Sequence, residues 1–143
     1  MEIRDLPEVL AIEKVSFPNP WRDSTFLGEI QNEPISFPFV AVHKTQLRVI
    51  GYIVYWKIED EIQINNIAVH PDFRGQGIGE SILRDVLDGA RADGALFVLL
   101  EVRPSNAAAR SLYIKLGFKF LAIRPRYYSN PDEDAIVMGL YLR

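Results

Sequence analysis

The sequence predicts a mixed α/β fold, with one central sheet flanked by helices, and three observations carry that prediction. Apolar residues recur with period two over residues 61–69 and with helical period over residues 76–92. Residues 95–100 form an unbroken apolar run of strand length. The elements follow the order helix, helix, three strands, helix, strand, helix, two strands, which asks for helices packed on a mixed sheet. A chain of 143 residues with no internal repeat gives one domain over residues 1–143.

The first helix is expected from Asp5 to Phe17, with Asp5 as its cap, Pro7 in its first turn and Leu6, Val9, Leu10 and Phe17 on its apolar face. Pro18 and Pro20 then disfavour helical geometry in the residues before them, so Phe17 to Trp21 reads as a loop. A second helix runs from Asp23 to about Asn32, carrying Phe26, Leu27 and Ile30. Strands follow at about Phe39 to His43, Val49 to Lys57 and Glu61 to Val69.

The third strand carries an irregularity. Ile62 and Ile64 hold one parity and Ile67 and Val69 the other, with Asn65 and Asn66 between. A phase slip of this kind is the signature of a bulge, where one extra residue exchanges the faces and frees backbone groups from the ladder. From Gln76 to about Ala92, Ile78, Ile82, Val86 and Ala90 recur every four residues beside Leu83 and Leu87, and Gly94 ends the helix. Ala95 to Leu100 reads as a strand buried on both faces, with Glu101 at its carboxyl end. A helix from Ser105 or Asn106 to Leu116 is closed by Gly117, and Phe118 to Ile123 and Ala135 to Leu142 are the last strands. The loop between them holds Arg126, Tyr127, Tyr128 and the acidic run Asp132-Glu133-Asp134.

Composition removes several classes of function. With no cysteine there is no disulfide, thiolate metal site or cysteine nucleophile, and two histidines weigh against a histidine-rich metal centre, so no metal is expected. Lysine and arginine number 16 against 19 acidic residues; a net charge of −3 is not that of a dedicated nucleic-acid binder. No apolar run approaches the ~20 residues of a membrane span, and MEIRDLPEVL lacks the pattern of a secretion signal. The reading is a soluble cytoplasmic protein, a monomer or weak dimer, without membrane or direct nucleic-acid partners.

Arg74-Gly75-Gln76-Gly77-Ile78-Gly79 lies between a strand and an amphipathic helix. Glycines let successive N–H groups turn inward, and the following helix start adds partial positive charge. The result is an anion cradle suited to a pyrophosphate. It lacks the Gly-Lys-Ser/Thr ending of a nucleoside-triphosphatase loop and the early strand and acidic ribose contact of a dinucleotide fold. A glycine-rich turn without a ligand is the alternative.

The stretch Asn66 to Gly79 resembles the acetyl-CoA motif of the Gcn5-related N-acetyltransferase (GNAT) superfamily, whose Arg/Gln-x-x-Gly-x-Gly/Ala core is met by Arg74, Gly77 and Gly79. The likeness continues through Leu100-Glu101-Val102-Arg103, Ser105 to Ala109 and Leu112 to Phe118. Phe17 to Trp21, Leu100 to Arg103, Arg126-Tyr127-Tyr128 and Glu133 to Met138 are similar, more narrowly, to the ribosomal-protein-alanine N-acetyltransferases, the RimI type. That family opens with a strand before the first helix; only Met1 to Arg4 precede Asp5 here, so this strand is expected to be short or absent.

The resemblance implies acetyl-CoA as cosubstrate and a sheet splayed where the bulge falls. Backbone groups of Ile67-Ala68-Val69 would meet the pantetheine arm, with the Val69 N–H on the thioester carbonyl. N–H groups from Arg74, Gly75, Gln76, Gly77, Ile78 and Gly79 to Glu80 would hold the pyrophosphate, and Asn106 would contact the cofactor. Glu101 is the candidate base for a protonated amine; its rival role is a salt bridge with Arg103. Tyr113 would donate toward the leaving thiolate, or simply pack. Tyr127, Tyr128 and Trp21 would line the peptide mouth, with the Phe17–Trp21 loop as its opposite wall, and the acidic run would attract a basic peptide or be solvated. The implied reaction is acetyl transfer to a protein N-terminus, an alanine of a small-subunit ribosomal protein, by direct attack. The alternatives are a small-molecule amine or lysine acceptor, or a non-catalytic acyl-CoA-binding module.

Overall fold

The computed structural model describes residues 1–143. A 3-10 turn over Ile3–Asp5 leads into α1 (Leu6–Ser16) and α2 (Asp23–Gln31), followed by strands β1 (Ser36–Val42), β2 (Val49–Ile58) and β3 (Glu61–Val69). Then come a 3-10 turn at Pro71–Phe73, α3 (Ile78–Ala92), β4 (Phe97–Val102), α4 (Ala107–Lys115), β5 (Lys119–Tyr128) and β6 (Glu133–Tyr141). The element order is the expected one. No strand precedes α1; the Met1 nitrogen instead donates to the Pro38 carbonyl at 2.8 Å, beside the outer strand.

Asp5 stands at the N-cap position of α1, as expected, but its side chain makes no cap bond there. Its carboxylate accepts from the Glu2 N–H at 2.7 Å and closes the 3-10 turn. Pro7 does lie in the first turn of α1, where its missing N–H costs nothing. Gln76 lies outside α3, because Gly75 and Gly77 take left-handed φ values of 76° and 80° and hold the chain in a loop until Ile78.

The six strands form one sheet in the order β1-β2-β3-β4-β6-β5. All neighbours run antiparallel except β3 and β4. Two apolar layers cover it. One joins α3 and α4 to residues such as Ile53, Ile62, Ile64, Val98, Leu100 and Met138. The other joins α1 and α2 to Val49, Tyr52, Val54 and Ala68. No helix is long and apolar enough to cross a membrane.

The bulge falls at Asn65. Val54 pairs with Asn66 and Tyr55 with Ile64, so Asn65 is the extra residue. Ile62 and Ile64 belong to the α3/α4 layer and Ile67 packs against it, while Ala68 turns to the α1/α2 layer. One inserted residue thus keeps apolar side chains of opposite parity on one face.

β4 departs from its expected character. It begins at Phe97, extends past Glu101 to Val102, and its burial alternates. Val98, Leu100 and Val102 lie beneath α3 and α4. The other face is only half-buried, because α1 packs against β2 and β3 rather than β4. Glu101 belongs to that second face.

Candidate functional site

The pairing of β3 with β4 ends at Ile64–Leu100, although β3 continues to Val69 and β4 to Val102. Beyond that point β3 stays with β2 and β4 with β6, so a gap opens inside the sheet. The His70 N–H bonds to the Ile50 carbonyl at 2.8 Å. Backbone alternation then turns Ala68 toward β2 and Ile67 and Val69 toward the gap. The expected splay is present, at the bulge.

The glycine loop lies at the open end of this gap. No backbone or side-chain acceptor takes the N–H groups from Gly75 to Glu80; the next, Ser81, bonds to Gly77. A Cβ built at Gly75 or Gly77 meets nothing within 4 Å. Six successive N–H groups are therefore unpaired at the start of a fifteen-residue helix. Arg74, expected to add its N–H to this row, instead donates it to the Pro71 carbonyl at 3.4 Å within the 3-10 turn, and its side chain turns away. Its Nε donates to the Val69 carbonyl and Nη2 to Ser16 Oγ, each at 3.0 Å. These bonds tie the loop to β3 and to α1.

The Glu80 carboxylate accepts from Lys115 Nζ at 2.7 Å and Arg84 Nε at 2.9 Å, fastening α3 to α4. The Lys115 bond and then the Arg84 bond hold its carboxyl below the usual range. Asn106 is the N-cap of α4; its Oδ1 accepts from the Ala109 N–H at 3.2 Å, which leaves its amide nitrogen free.

Glu101 and Tyr113 lie on opposite faces of the sheet. The Tyr113 ring is buried in the α3/α4 layer beside Phe118, and burial pushes its phenol up to about 12. The Glu101 side chain is 9% exposed, and its Oε1 lies 3.7 Å from Arg124 Nε. The salt bridge with Arg103 is absent. Arg103 instead holds the β5–β6 turn: it donates to the carbonyls of Ser129 (2.9 Å) and Pro131 (2.8 Å) and to Glu133 Oε1 (3.2 Å), and its Cζ lies 4.5 Å from the centre of the Tyr128 ring.

Tyr127 and Tyr128 are the last residues of β5 rather than part of a free loop. Burial first, then the charges of Tyr127 and Glu101, raises the Tyr128 phenol far above its ordinary value. Tyr127 is exposed, beneath the Arg124 guanidinium at 5.6 Å. The Phe17–Trp21 loop does meet the β5–β6 turn: Asn19 Nδ2 donates to the Ser129 carbonyl at 2.5 Å. Trp21 packs against Phe26 with ring centres 5.2 Å apart. Two residues of the acidic run bond within the chain, although Asp132 and Asp134 are exposed. Glu133 accepts from Ser105 Oγ at 2.6 Å and from the Ser105 N–H at 3.1 Å, and Asp134 accepts from the Arg126 N–H at 2.9 Å.

Sequence reasoning missed Glu13. Its side chain is buried in the α1/α2 layer and meets Tyr52, Asn66 and the Trp21 backbone. The signal was present: Leu6, Val9, Glu13 and Ser16 are spaced three, four and three apart, so the buried stripe of α1 runs onto a carboxylate.

The acetyltransferase (GNAT) family profile matches residues 6–118. A [ribosomal protein bS18]-alanine N-acetyltransferase of Escherichia coli (strain K12) is 37% identical over 142 residues, 98% of this chain and 93% of that protein. The crystal structure of the ribosomal-protein-S18-alanine N-acetyltransferase from Escherichia coli superposes with a TM-score of 0.89 at 34% identity, covering 99% of this chain and 90% of that one. The NatC complex bound to Gag peptide and CoA shares the fold at 23% identity and a TM-score of 0.82, covering 100% of this chain and 96% of that one.

Proposed function

The chain belongs to the acetyltransferase (GNAT) family, and from that premise we propose that it transfers the acetyl group of acetyl-CoA to the α-amino group of an alanine-initiated ribosomal protein. The observation that carries the reading is the row of six N–H groups from Gly75 to Glu80 that no acceptor in the protein takes, backed by the dipole of α3. Those donors suit the pyrophosphate of coenzyme A. The gap beyond Ile64 suits its pantetheine arm, received by the backbone of Ile67 and Val69, with Ala68 turned away toward β2. The free amide nitrogen of Asn106 would complete the grip. Bound acetyl-CoA supplies an activated acyl thioester.

The acceptor amine approaches from the other face. A free α-amino group has a pKa of about 8 and is mostly protonated at neutral pH. Glu101 takes that proton, its Oε1 lying 3.7 Å from Arg124 Nε. Tyr113 faces the leaving sulphur. A phenol near 12 is roughly 5 kcal/mol harder to deprotonate than an ordinary thiol. Its role is therefore a hydrogen bond to the developing thiolate rather than complete proton transfer. Transfer is direct, because no cysteine is available to carry the acyl group. Tyr127, Tyr128 and Trp21 line the mouth that the Asn19–Ser129 bond narrows.

The test is release of CoA in the presence of an alanine-initiated peptide and of the same peptide with a blocked amine. Turnover with the free form alone supports the reading; turnover with lysine or polyamines but not with the peptide refutes it.

A further inference from the structure

We infer that Glu13 is a positioning residue that tethers the two substrate sites to each other, holding the peptide-side loop through Trp21 and the cofactor strand through Asn66. The inference rests on the acetyltransferase reading and extends it to a residue that touches neither substrate.

Glu13 occupies the penultimate turn's inward face of α1 and is 1% exposed. Oε1 accepts from Tyr52 Oη at 2.5 Å and from Asn66 Nδ2 at 2.8 Å, and Oε2 accepts from the Trp21 N–H at 2.8 Å. Burial, then the adjacent Glu13 charge, drives the Tyr52 phenol far above its ordinary value, so Tyr52 remains a donor. Each donor comes from a different part of the fold. Tyr52 belongs to β2, Asn66 is the residue after the bulge, and Trp21 ends the loop that meets the β5–β6 turn.

A buried carboxylate is a poor stability device. Removing it from water is costly, and well-packed apolar groups of similar volume stabilise as well or better. What three convergent hydrogen bonds do supply is geometry. Asn66 precedes Ile67 and Val69, whose backbone faces the gap. Trp21 fixes one wall of the mouth. One turn further along α1, Ser16 Oγ accepts from Arg74, whose Nε reaches the Val69 carbonyl. The last two turns of α1 thus hold the bulge, the glycine loop and the peptide-side loop in one frame. Without Glu13, β3 and the Phe17–Trp21 loop would lose their common anchor, and the amine and the thioester would meet less often in line.

The decisive variant removes the acceptor and both buried side-chain donors together: Glu13→Leu with Tyr52→Phe and Asn66→Leu. Deleting both ends of the buried bonds leaves no orphaned side chain, so melting stays close to that of the parent. The expected result is a rise of roughly tenfold or more in peptide KM, a severalfold weaker CoA Kd by calorimetry, and roughly tenfold faster hydrogen exchange at the Trp21 amide. Parent-like values of all three in the folded variant overturn the inference. Should the triple variant not fold, Glu13→Gln decides: faster Trp21 exchange and a raised peptide KM at unchanged melting support the tether, and unchanged values refute it. Parent protein that acetylates no amine counts against the acetyltransferase reading; the exchange and CoA-binding measurements decide the tether independently.

Discussion

Replacing Gly77 with alanine probes the cradle through backbone geometry alone. Gly77 has φ 80° and ψ 12°, and no protein atom lies within 4 Å of a Cβ built there. The cost of the substitution is therefore conformational: an L-residue in the left-handed region costs about 1–2 kcal/mol. If the loop keeps its shape in the free protein, the cost is lost stability. If it relaxes, binding must restore the cradle, and the same energy becomes a roughly 5- to 30-fold weaker Kd for CoA. Gly79 is the control. Its φ is not left-handed, and a Cβ there meets Leu112 and Val69 at an ordinary 3.6 Å. Gly79→Ala should bind CoA within about twofold of the parent and gain up to about 1 kcal/mol of helix propensity. Titration calorimetry with CoA and thermal denaturation of the three proteins measure both terms. Gly77→Ala that matches the parent in affinity and in melting would refute the reasoning, as would Gly79→Ala that loses as much affinity as Gly77→Ala.

Glu101→Gln keeps the shape of the side chain and removes its capacity to accept a proton; kcat with the alanine-initiated peptide should fall by about 10²- to 10⁴-fold while CoA affinity holds. An unchanged kcat would make Glu101 structural. Tyr113 gives a prediction about pH and stability. An unfolded tyrosine releases its proton near 10, whereas burial holds Tyr113 to about 12. Its stabilising contribution is complete below about pH 10 and drains away as pH climbs toward about 12, because the unfolded chain ionises first. Tyr113→Phe should therefore flatten the alkaline side of the melting profile, and parallel curves for the two proteins would contradict the assignment.

Local signals were legible. The parity slip around Asn65 marks a bulge because strand side chains alternate with period two, whatever lies on either side. The glycine loop, the helix after it and the cap at Asn106 are likewise written within a few residues. The run over residues 95–100 misled for the opposite reason. Apolarity measures how willing a strand is to be covered, and which faces are covered depends on helices elsewhere in the chain. α1 stops short of β4, so one face of that strand stays open to receive Glu101.

The partners of the charged groups lay beyond any local reading. Arg103, two residues along the strand, is close in sequence to Glu101, yet Arg124 of β5 is the guanidinium beside it, and Arg103 turns to Glu133, 30 residues away. Glu13 meets Tyr52 across 39 residues and Asn66 across 53. The amino-acid order by itself determined the elements, the bulge and the anion cradle, since each arises from torsional preference and side-chain period over a short span. Only tertiary structure decided which carboxylate lies beside Arg124 and which is buried among Tyr52, Asn66 and Trp21. Hydrogen bonds and ion pairs act over a few ångströms, and packing alone brings distant residues that close.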